Sequence, residues 1–121
     1  MADMLLEAAA WLDQMRRGYM SRFVSYTRGS ETQPCLATTS QSAFETQTET
    51  GVVERWESRD YIISYHELPF PVPQRGDRIT ESLNGTVVWY EVCAPRGAPV
   101  WNWADPYRNS VRIHTKMISE V

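Results

Sequence analysis

The chain has 121 residues, an apolar fraction of 42% and a net charge of −3. These values predict one domain with a core of its own, needing no metal or disulfide staple, and they exclude disorder along the whole chain. The charge argues against a tight, extended grip on a phosphate backbone, but not against DNA passing nearby.

Residues 3–20 read as one amphipathic helix. Asp3 is placed to cap it, and Met4, Ala8, Trp11, Met15 and Tyr19 recur at 3.6-residue spacing. Leu5 and Leu12 widen the stripe, and Gly18 weakens the last turn. Two tasks stay open for such a helix: covering a face of its own domain, or docking on a neighbouring subunit.

The remainder, 22–118, reads as β structure. Phe23, Val24 and Tyr26 mark a strand over Arg22–Arg28, closed by Gly29-Ser30. Gln33–Thr39 is a second strand, with Pro34 suited to its start or to an edge. Ser40–Gly51 is rich in Ser, Thr and Gln, and Phe44 is its one large apolar residue. No Lys or Arg occurs from Ser30 through Glu54, against four Glu. This composition predicts a long, exposed, mobile loop, in which Gln41, Phe44, Glu45 and Glu49 are the candidate contact residues. A solvated hairpin without a role is the alternative.

Val52–Trp56 and Arg59–Ile63 follow, as one strand or two pieces. Ser64 and Glu67 have capping-box spacing for one helical turn. Pro69, Pro71 and Pro73 predict an extended connector. Asp77–Ser82 and Thr86–Val92 flank Asn84-Gly85, a dipeptide suited to the type I′ turn of a tight hairpin. Trp101, Trp103 and Tyr107 lie in an aromatic, turn-rich segment, and Asn109–Thr115 alternates as a final strand. The predicted fold class is mainly β: a small antiparallel barrel or sandwich with one N-terminal helix and a long polar loop.

No run approaches a membrane span, and no basic region followed by an apolar core suggests a secretory signal. Cys35 and Cys93 match no metal or redox spacing and read as reduced thiols. His66 and His114 are the only histidines, without His-x-x-x-His spacing or a nucleophile elbow, so no enzyme, cofactor or metal is expected. An enzyme would need both to converge on a pocket. Arg75-Gly76-Asp77 matches an adhesion tripeptide, but Gly76 has a structural use as the break before a strand. Trp89, Trp101 and Trp103 make an OB-like or SH3-like module for nucleic acid or peptide the competing reading, which would require Arg75, Arg78, Arg96, Arg108 and Arg112 to gather around exposed Trp rings.

The series Pro73-x-x-Gly-Asp-Arg-Ile79, Asn84-Gly85, Tyr90-Glu-Val92 and Val111-Arg-Ile-His-Thr-Lys116 resembles the head-completion, stopper and head-tail joining proteins of tailed bacteriophages. The likeness spans about residues 22–118. It implies a structural subunit of the virion, assembled in the host cytoplasm as a ring of identical copies. A portal or adaptor protein would lie above and a tail-terminator or tail-tube protein below, with DNA passing through unread and no membrane involved. Leu5, Trp11, Leu12 and Met15, with Trp101, Trp103 and Tyr107, are the expected contacts between neighbours. The Ser40–Gly51 segment is the expected channel or docking element.

Overall fold

The computed structural model describes residues 21–120. The expected helix over 3–20, with Leu5, Trp11, Leu12 and Met15, lies outside the described residues. Seven strands follow in order: β1 Arg22–Arg28, β2 Glu31–Gln47, β3 Val53–Ser64, β4 Arg78–Leu83, β5 Thr86–Val92, β6 Trp101–Trp103 and β7 Ser110–Glu120.

Every pairing is antiparallel. The order β3-β2-β1-β4-β5-β7 closes through β3 against β7, giving a six-strand barrel and not a sandwich. Closure removes the open edges that a sheet of this size would expose. One flank of β7 pairs with β3. The other is shared, by β6 along Val111–Ile113 and by β5 from Thr115 onward.

Alternation sets the interior. Val24 and Tyr26 of β1, Cys35 and Ala37 of β2, Tyr61 and Ile63 of β3, and Val111 and Ile113 of β7 all point inward. The Asn84-Gly85 turn forms as predicted, with φ of 52° and 84°. Pro34 pairs with Ser25 on a stretch of β2 that has no second neighbour, so its missing N–H leaves no ladder bond unmade. Tyr65–Glu67 forms a single 3-10 turn, but Ser64 makes no capping bond to it through its side chain. The aromatic segment yields a short strand at Trp101–Trp103, and the last strand runs five residues beyond Thr115.

The largest correction concerns the long polar loop. Residues 40–47 continue β2 and pair with β3 in unbroken register from Thr38↔Ile62 to Gln47↔Val53. Only Thr48–Val52 turns, closed by Thr48 N–H to the Val52 carbonyl at 2.8 Å and Gly51 N–H to the Thr48 carbonyl at 2.9 Å. A ribbon satisfies its backbone whatever its side chains are, so Ser, Thr and Gln suffice where neither face needs to be a core.

Cys35 is buried inside the barrel. Burial, and secondarily Glu67, push its thiol up to about 12, leaving almost no thiolate at neutral pH. Iodoacetamide at pH 8 should therefore label Cys35 only after denaturation, which peptide mapping will check. Rapid native labelling of Cys35 would contradict the burial.

Candidate functional site

The Gly-Asp-Arg stretch is a structural clamp. Asp77, at 4% exposure, accepts Arg28 Nε on Oδ1 at 3.0 Å and Arg28 Nη2 on Oδ2 at 2.8 Å. Its Oδ2 also takes the Tyr26 hydroxyl at 2.5 Å and the Gln74 N–H at 3.0 Å. Arg28 reaches further, to the carbonyls of Pro71 at 3.1 Å and Val72 at 2.7 Å, and lies over the Phe70 ring. One carboxylate thus ties β1 to the proline strap at 69–73. Burial alone would raise the Asp77 carboxyl, but the bonds from Arg28, Tyr26 and Gln74 outweigh it and hold it below the usual range. Burial and the Asp77 bond keep the Tyr26 phenol protonated well above its ordinary value.

A second buried carboxylate crosses the barrel. Glu81 of β4 accepts Tyr61 Oη at 2.5 Å and Arg59 Nη2 at 2.6 Å, both from β3, and Arg22 Nη1 at 3.4 Å. Arg59 also faces the rings of Tyr61 and Tyr90. Since β3 and β4 are not neighbours in the sheet, this cluster fills the barrel's interior. The barrel is a packed core and not a conduit.

The ribbon is anchored by a third carboxylate, Asp60. His114 Nδ1 lies 2.8 Å from its Oδ1, which also accepts Ser58 Oγ at 2.6 Å. Its Oδ2 accepts a short bond from Ser42 Oγ and Arg112 Nη1 at 3.2 Å. Burial favours the neutral acid, yet His114, Ser42 and Ser58 together lower the Asp60 pKa. Ser58 gives its proton to the carboxylate on the same side as His114 Nδ1, so the trio does not generate an activated hydroxyl. Phe44 packs edge-on against His114 at 5.0 Å and against its cross-strand partner Trp56 at 5.6 Å. Lys116 Nζ sits 4.5 Å from the Trp56 ring.

Beyond Arg59↔Thr115, the last β3–β7 pair, the ribbon is two-stranded. Six residue pairs there amount to roughly 20 Å of strand rise. Gln41, Glu45 and Glu49 are exposed, and Glu45 stands opposite Arg55. Phe44, the large apolar residue among the candidate contacts, lies below the tip and packs against His114 and Trp56 of its own chain. The apolar residues at the tip are Val52 and Val53, exposed by 56% and 62%.

The strap end lies at the other end of β3. There a pocket of about 340 Å³ is walled by Leu68, Phe70, Trp101 and Val111, with Tyr65 and Val72 among its lining. Trp101 and Trp103 meet edge to face at 5.4 Å, Tyr65 lies 5.3 Å from Trp103, and Arg108 covers Trp103 at 5.7 Å. Tyr107, 36% exposed, stands beside this cluster in sequence.

Trp101 and Trp103 pair with the inward residues Ile113 and Val111, whereas Trp89 lies between the core residues Val88 and Tyr90 and faces outward. The three indoles therefore form no common platform. His66 and His114 do not converge either: His66 is exposed in the 3-10 turn and His114 is buried beside Asp60. Sequence reasoning missed all three carboxylate hubs. Only Asp60 stands beside an apolar residue, Tyr61; Asp77 lies between Gly76 and Arg78 and Glu81 between Thr80 and Ser82, so no common local signal marks the three.

Among the described residues no helix is long and apolar enough to cross a membrane. A family model for phage head-tail joining proteins matches residues 2–121. The chain belongs to the phage head-tail joining protein family. The motifs that carried the resemblance now have physical roles: Asp77 is the clamp, Asn84-Gly85 the turn, and the final strand closes the barrel. A comparison with curated proteins found no match. The family is structural, and each of the hubs described above ties strands of the barrel together.

Proposed function

We propose that copies of this chain form a ring at the junction of phage head and tail, which extends the DNA channel. In this reading the ring sits under the portal or adaptor and offers its lower surface to a tail-terminator or tail-tube protein. Family membership supports the junction as the place. The observation that carries the rest is the ribbon: among the described residues, it is the element that reaches out from the closed barrel.

A filled barrel cannot pass DNA through itself, so the channel must run between copies. Residues 38–58, the ribbon and its base, carry four Glu against one Arg. Such a surface repels phosphate, which suits DNA that must slide and not be held. The ribbon is assigned to the channel or to an adjoining ring, as a gate or docking finger that helps retain packaged DNA. The 3–20 segment, through Leu5, Trp11, Leu12 and Met15, is assigned to packing against a neighbour, as are the aromatic residues of the strap end.

Cyclic symmetry demands head-to-tail contacts, one patch meeting a different patch on the next copy. Imaging of the head–tail junction should resolve six or twelve copies of this barrel around the axis. A single copy, or none, at the vertex would end the ring reading.

A further inference from the structure

We propose that the apolar pocket at the strap end of one copy receives the ribbon tip of a second copy. This deepens the ring reading and rests on it.

The receiving side is built and held rigid. Val72, at the pocket's lip, has φ of 41° and is 54% exposed. A β-branched residue in the left-handed region is strained, and it persists only where its surroundings fix it. Here Pro71 and Pro73 flank it, and Arg28 holds the carbonyls of Pro71 and Val72. The clamp thus keeps an apolar side chain facing water. Tyr65, on the same mouth, is 49% exposed. Strain spent on displaying apolar surface is the mark of a surface made to be covered.

The inserting side is equally preorganised. Thr48 Oγ1 accepts the Val52 N–H at 3.1 Å, adding to the two backbone bonds that close the turn. This fixed turn presents Val52 and Val53 together, between Glu49 and Glu54. A rigid turn loses little entropy when it docks.

Charge favours the pairing. The Arg108 guanidinium lies over Trp103 beside the pocket. Of the acids at this end, Glu67 and Asp105 are half-buried, and Asp105 accepts the N–H groups of Asn109 and Ser110. An acidic, valine-bearing turn fits an aromatic pocket with the Arg108 guanidinium at its side. Val53 begins β3 and Tyr65 follows its end. Tip and pocket are therefore roughly 35 Å apart along one strand. A copy cannot fill its own pocket, and the contact is head-to-tail by construction.

The test uses the full chain with Cys35 and Cys93 replaced by alanine. Val53→Cys protein is mixed with Val72→Cys protein and oxidised, both in concentrated solution and in assembled particles. The heterodimer should exceed that from a Val53→Cys and Phe23→Cys control pair by at least about tenfold. Phe23 is the control because it is 72% exposed on the barrel wall. Charge reversal at Arg108 (Arg108→Glu), a surface change that leaves the fold intact, should cut the Val53–Val72 yield several-fold. Equal linking to both sites, or linking of Val72→Cys in particles to a different protein, overturns the inference. A ring seen at the junction without this cross-link sinks the docking alone, whereas absence of a ring sinks the parent reading.

Discussion

Excising Glu45–Arg55 and joining Phe44 to Trp56 through an Asn-Gly turn will leave the barrel folded and abolish tail joining. The cut falls on a register pair, Phe44↔Trp56, so the shortened ribbon keeps its ladder and the dipeptide supplies the type I′ geometry. Everything that anchors the ribbon remains: Ser42, Phe44, Trp56, Ser58 and Asp60. Glu45, Gln47, Glu49 and residues 52–55 carry exposed side chains, so the melting temperature should move by only a few degrees, about 1 kcal/mol or less. Infectious titre, by contrast, should fall by orders of magnitude, with heads that leak DNA or lack tails under the electron microscope. Normal titres from the shortened chain would mean that the ribbon is a solvated ornament on the outside of the connector.

Replacing Asp77 by Asn will lower the stability of the isolated barrel by about 3 kcal/mol. This is the low end for removing one partner of a buried ion pair, chosen because Arg28 is a quarter exposed. The amide cannot satisfy Arg28, Tyr26 and the Gln74 N–H together, so at least one buried donor is orphaned. For a domain of this size the loss corresponds to a fall of roughly 10–20 °C in melting temperature. Arg78→Ala, next in sequence but exposed, is the control and should change stability by less than about 0.5 kcal/mol.

The same carboxylate predicts a pH profile. Its folded pKa is depressed, so the stability it contributes is complete above the unfolded value of about 4 and is lost as pH falls through the folded value. Asp60 acts with the same sign. Melting should be nearly constant between about pH 7 and 5 and drop steeply below about 4, and Asp77→Asn should flatten that drop. A variant profile parallel to the parent's would show that the clamp carries no linked proton.

Much of the barrel could be read from local rules. Arg22–Arg28 and Thr86–Val92 were predicted to the residue, because each is a short run of alternating burial bounded by a Gly turn. Residues 40–47 were not legible as a strand. Alternation marks a strand only when one face is buried, and this ribbon leaves its Gln41, Ala43 and Glu45 face in water. Polar composition predicts mobility, but backbone pairing with β3 supplies the order. Trp101 and Trp103 were legible as surplus aromatics, yet nothing local says that they pair with the inward residues of β7.

The sequence by itself determined the β class, the turns, the neutral-to-acidic surface and the family. These depend on residue type and short spacing, which survive without coordinates. Tertiary structure alone decided that the sheet closes, that Asp60, Asp77 and Glu81 are hubs, and that tip and pocket stand at opposite ends of β3. Each of these joins residues that are distant in sequence, Tyr26 with Asp77, Ser42 with Arg112, Tyr61 with Glu81. Such contacts follow from which strand lies beside which, and long-range pairing leaves no periodic trace in either partner.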